Sequence, residues 1–138
     1  MKPNSDFSKR VFFWAGIYGV IVIAPQYFLE QQVGQQYPPA ITHPEYFYGF
    51  VGVGLAWQFA FLAIARNPVS MRPVMLPAVF EKFSFAASTL ALVAASRSPA
   101  SLGVFATIDF ILGVLFLVCY FRCREPNRGA PDAAETPR

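Results

Sequence analysis

Three ionisable side chains fall inside apolar stretches of this chain: Glu81, Lys82 and Asp109. An ionisable group is costly in a bilayer and is a functional candidate by default. Two carboxyls beside an ammonium can divide acid and base work, hold a polar headgroup or pass a proton, provided they reach one ligand. Tyr18 and Gln58, in two further apolar stretches, extend this to a candidate cluster of five. Plainer roles compete. Lys82 can snorkel to the headgroups, and if Pro77 starts the helix, Glu81 is only one turn inside. Asp109 is short and central, so a register-fixing pair with Lys82, or a hydrogen bond to Tyr18 or Gln58, is its alternative to proton handling.

Those residues need elements to carry them. Of 138 residues, 55% are hydrophobic and only 14% charged, against roughly 25% charged in an ordinary soluble domain. That excludes a soluble enzyme, a disordered chain and a nucleic-acid binder, despite a net charge of +3. Four stretches reach the ~20 residues a bilayer-crossing helix needs: 11–29, 46–65, 74–95 and 102–121. The first resembles a signal peptide, but Pro25 after Val22-Ile23-Ala24 argues for a retained helix. Residues 1–10 form an N-terminal cytoplasmic segment, and 122–138 a polar tail expected to be disordered. The expected fold is an all-α membrane protein, a four-transmembrane-helix bundle.

Orientation follows from the cations. Nine of the eleven Lys and Arg precede span one, follow span four or lie in the second loop, whereas Arg97 alone lies in the third loop. The positive-inside rule then places both termini and the second loop in the cytoplasm. The candidate cluster falls in the cytoplasmic half of the bilayer. Ser84 and Ser88 share a stripe with Glu81, a possible polar path outward.

Local motifs define the helix ends and packing faces. Thr42-His43-Pro44-Glu45 fits a capping box with Thr42 as N-cap, and Ser98-Pro99 opens the fourth helix in the same style. Capping, rather than catalysis, accounts for the His43 and Glu45 pair. Helices in lipid pack through small residues, so Gly52, Ala56 and Ala60, then Ala87, Ala91 and Ala95, then Ala106, Asp109 and Gly113 are the expected contact ridges. The Gly49–Gly54 run lacks the spacing and Lys of a phosphate loop. Trp14, Tyr46, Tyr48 and Tyr120 suit an interfacial aromatic belt.

Little specific chemistry remains. One histidine excludes a multi-histidine metal site within the chain, Cys119 and Cys123 fit reduced thiols, and no cofactor motif or nucleophile–base pair is present. The primary reading is therefore a non-enzymatic integral membrane protein, structural or accessory, whose partners are the lipid bilayer and other membrane subunits. A membrane-embedded enzyme or binding protein for a lipophilic ligand, with Glu81 and Asp109 as acid and base, is the second reading. A proton or ion pathway formed by an oligomer is the third. For a bacterial source the location is the cytoplasmic (inner) membrane. The four-span plan is similar, in topology alone, to small bacterial membrane proteins such as the DoxX-like group.

Overall fold

The computed structural model describes residues 3–123, with side chains from Ser5 onward. It is helical, and no strand occurs among the described residues. The elements are α1 (Pro3–Ile23), a 3-10 turn (Ala24–Phe28), α2 (Glu30–Gln36), α3 (Pro44–Arg66), α4 (Arg72–Ala94) and α5 (Ala100–Arg122). Among the described residues, four segments are long and apolar enough to cross a membrane: Ser5–Phe28, Pro44–Arg66, Arg72–Ala94 and Ala100–Arg122. Each overlaps an expected span. Residues 3–10 are already helical and continue into the first span, and the expected tail lies outside the described residues beyond Cys123.

The start of α1, the end of α5 and the α3–α4 turn gather at one end of the bundle, termed proximal. The Arg72 guanidinium donates to the Tyr120 carbonyl at 2.9 Å, and the Cys123 thiol lies 3.3 Å from Ser8 Oγ. The distal end carries α2 and the α4–α5 turn. The chain folds as two antiparallel pairs, α1 with α3 and α4 with α5, joined chiefly where α1 meets α5.

Glycine sets how closely the first pair can approach. A Cβ at Gly16 would lie 2.8 Å from Leu62 and 3.0 Å from the Gln58 carbonyl, and the Gln58 carboxamide occupies the space a Cβ on Gly19 would need. In the second pair, Gly113 lets the Phe83 ring come within 3.0 Å of the same imaginary position.

The continuous core lies in the proximal half. Phe12, Ala15, Phe61, Ile64, Met75, Ala78, Phe116, Cys119 and Cys123 form one buried cluster drawn from all four long helices. Phe12 stacks on Phe116 at 4.1 Å, and Phe61 meets Phe116 edge-on at 4.9 Å. Offset and T-shaped pairs of this kind add about 0.5–1.5 kcal/mol each beyond their buried area. Nearer the distal end, Val51, Ala86, Thr89 and Ala106 are buried outside that cluster.

Several local expectations are corrected. α3 begins one residue later than the capping box requires: His43 holds the N-cap position, without a side-chain cap bond. Thr42 therefore does not cap it, and Glu45 instead meets His43 Nδ1 at 3.2 Å on the surface. Pro99, rather than Ser98, precedes α5, again uncapped by a side chain. Ala87, Ala91 and Ala95 are all exposed, and so is Ala56 at the centre of the α3 ridge. α4 buries the face through Met75, Ala78, Lys82, Ala86 and Thr89, and α3 the face through Val51, Gln58, Phe61 and Ala65. Only the α5 ridge is internal, with Ala106 and Gly113 buried on either side of Asp109.

The α4–α5 turn is a helix stop built without glycine. Ser96 takes the left-handed conformation at φ 56°. Its N–H donates to the Val93 carbonyl at 3.0 Å, and the Arg97 N–H donates to Leu92 at 2.9 Å. This is the Schellman pattern, with serine in the position glycine usually fills.

Candidate functional site

Lys82 is the hub of the intramembrane polar cluster. It lies ten residues into α4, about 15 Å from the proximal end at 1.5 Å per residue. That depth is beyond comfortable snorkelling, and the side chain does not snorkel: Lys82 is 5% exposed. It turns across to α5, where its ammonium donates to both Asp109 oxygens, at 3.2 and 3.1 Å. The adjacent Glu81 carboxylate returns to the same nitrogen, with Oε2 at 3.3 Å and Oε1 at 3.5 Å.

The sequence places Glu81 and Lys82 about 100° apart on the helix, so their sharing of one charge depends on the length of both side chains. Pro77 does not start α4, which begins at Arg72, so Glu81 sits well inside the span. The ammonium also lies 5.3 Å from the centre of the Phe61 ring. It therefore rests between two carboxylates and the upper face of the aromatic core, a cation–π contact of about 2 kcal/mol where water is excluded.

The other two expected members are placed less directly. Tyr18 is partly buried on α1 and lies within electrostatic range of Asp109, without a hydrogen bond to it. Gln58 is 1% exposed and belongs to a different contact. Its Nε2 donates to the Gly54 carbonyl of its own helix at 2.9 Å, while Oε1 has no hydrogen-bond partner and abuts Gly19. The structure thus brings together Glu81, Lys82 and Asp109, sets Tyr18 nearby and assigns Gln58 to the α1–α3 contact.

The serine stripe does not extend the cluster. Ser84 Oγ donates to the Glu81 carbonyl at 3.1 Å, and Ser88 Oγ to the Ser84 carbonyl at 2.7 Å. Both hydroxyls are satisfied by their own helix. Towards the distal end, Tyr48 donates to Glu30 at 2.8 Å and Gln26 to the Val22 carbonyl at 3.3 Å.

Sequence reasoning missed Phe61, the ring beneath the ammonium, and the Gly19–Gln58 contact. Phe61 is one of fifteen phenylalanines, and nothing in its spacing separates it from lipid-facing ones. Gly19 carried a usable signal, since a glycine inside an apolar helix often marks a close helix approach.

The remaining candidates are structural. His43 and Glu45 pair with each other on the exposed surface, with the Tyr46 ring edge-on to His43 at 5.7 Å. Gly49–Gly54 lies within α3 and forms no loop. Cys119 and Cys123 are buried free thiols. No three His, Cys, Asp or Glu side chains converge among the described residues.

What the cluster can do chemically is hold α4 to α5 by a desolvated, multiply hydrogen-bonded charge group. Comparison with protein-family models finds no match, and neither the curated proteins nor the solved structures yield one.

Proposed function

We propose that this chain is a small multi-pass membrane protein that serves as a structural or accessory component of a membrane assembly, rather than as an enzyme. The observation that carries the reading is where Asp109 points. The carboxyl best placed for chemistry in the bilayer is closed onto Lys82 from both oxygens, so its interaction energy goes into joining two helices. Acid–base work on a lipophilic ligand would need that carboxyl and Glu81 released from the ammonium.

A second feature supports assembly. The small residues Ser84, Ala87, Ser88 and Ala91 form an exposed strip on α4. Helix contacts in lipid favour such strips because backbones can approach closely there. Affinity purification of the full chain from its native membrane tests the idea. The wild type is expected to carry a membrane partner in fixed ratio, and Ala87→Trp/Ala91→Trp to lose it with an unchanged melting temperature. A lone wild-type monomer, or a variant that keeps its partner, would overturn the reading.

The proposed orientation puts both termini and the α3–α4 turn in the cytoplasm, as the distribution of Lys and Arg favours. In intact cells, His43→Cys is expected to react with a membrane-impermeant maleimide. Ser70→Cys should react only after permeabilisation. The buried native thiols keep the background low. The reverse labelling pattern would invert the topology.

A further inference from the structure

The proximal end carries a groove of about 400 Å³ between α1 and α3. Its wall is apolar, formed by Phe13, Trp14, Ile17 and Leu62, and its rim carries Lys9, Arg10 and Arg66. Trp14 is 65% and Phe13 45% exposed, so two large rings stand out from the bundle immediately beside the cations. Lys9 is already matched by Asp6 at 3.6 Å. Arg10 and Arg66, on different helices, form no ion pair among the described residues.

An apolar channel ending at two uncompensated guanidiniums is complementary to an amphiphile with an anionic head. A free anion would make no use of the rings. A zwitterionic lipid brings its own cation to a rim that is already positive. Guanidinium groups suit phosphate in particular, because their paired N–H donors match its oxygens. Basic residues beside membrane helices at the cytoplasmic surface attract anionic headgroups.

We propose that this groove holds one anionic phospholipid. Its phosphate sits between Arg10 and Arg66, and an acyl chain runs along Phe13, Trp14, Ile17 and Leu62. The site rests on the membrane-spanning reading and, for its cytoplasmic leaflet, on the proposed orientation.

The chain has two tryptophans, so Trp57→Phe leaves Trp14 as the sole tryptophan reporter under Trp-selective excitation. In phosphatidylcholine vesicles, brominated phosphatidylglycerol at low mole fraction is expected to quench Trp14 about tenfold more effectively than brominated phosphatidylcholine at the same fraction. Arg10→Gln/Arg66→Gln should abolish that preference while leaving helical content and melting temperature unchanged. Arg97→Gln, at the opposite end, should preserve it.

Equal quenching by the two lipids, or a preference that survives the double substitution, would overturn the proposal. So would displacement of the lipid by millimolar inorganic phosphate, which would mark a simple anion site. Selective quenching together with inverted maleimide labelling would leave the lipid site standing and sink only the orientation.

Discussion

Lys82→Met is expected to destabilise the bundle by about 3–5 kcal/mol, the usual cost of removing one partner from a buried ionic group. Lys82 is the sole cation among the described residues that pairs with the Glu81 and Asp109 carboxylates of α4 and α5, so its loss leaves them facing each other in a water-poor site. Asp109→Asn should cost less, about 1–3 kcal/mol, because the ammonium keeps Glu81 and an amide oxygen. The combination Glu81→Leu/Lys82→Met/Asp109→Leu should recover most of the loss, since replacing a whole buried ionic group with apolar side chains is often neutral. Thermal unfolding in mild detergent, followed by circular dichroism, reads all three. Equal melting temperatures for the wild type and Lys82→Met would show that the charge group holds nothing together. A triple variant as unstable as Lys82→Met would assign the loss to packing around Phe61 instead.

The second large effect is expected at Gly19, where one methyl group should cost about 1–3 kcal/mol, the range for overpacking a well-filled site. The Gln58 carboxamide already occupies the volume of the new Cβ, and both helices have further contacts that resist their moving apart. Gly19→Ala/Gln58→Ala should restore stability beyond the sum of the single changes, a coupling a double-mutant cycle measures directly. Gly103→Ala is the control. Its Cβ would meet only Val93, at 4.0 Å, so a gain of up to about 1 kcal/mol from helix propensity is expected. Additive losses at Gly19 and Gln58 would separate the two residues.

The four spans could be read from the sequence because a bilayer demands a fixed length of apolar residues and the chain supplies it four times. The cost of intramembrane charge likewise singles out Glu81, Lys82 and Asp109, but the sequence leaves open whether Asp109 pairs with Lys82 or bonds to Tyr18 or Gln58. Which face of each helix turns inward was much less visible. In a soluble helix polar residues mark the outside, but α3 and α4 are apolar on both sides, so the pattern loses its contrast. The alanine ridge of α4 was placed inside on small size alone and lies outside. Gln58 was grouped with the charges because it is polar. Its actual neighbour, Gly19, has no side chain to advertise the contact. α2 escaped notice because EQQVGQQ carries one apolar residue and hence no period.

The packed aromatic core at one end has a mechanical consequence. Stiffness follows packing, and segments with few buried contacts open at lower free energy than a filled core. The two helix pairs interlock most tightly at the proximal end, through Phe12, Phe61 and Phe116, whereas toward the other end they meet through a wider ring pair, Phe50 and Phe85 at 6.4 Å. Lateral pressure in one leaflet meets a solid plug. The same pressure in the other leaflet meets the end with fewer large buried side chains.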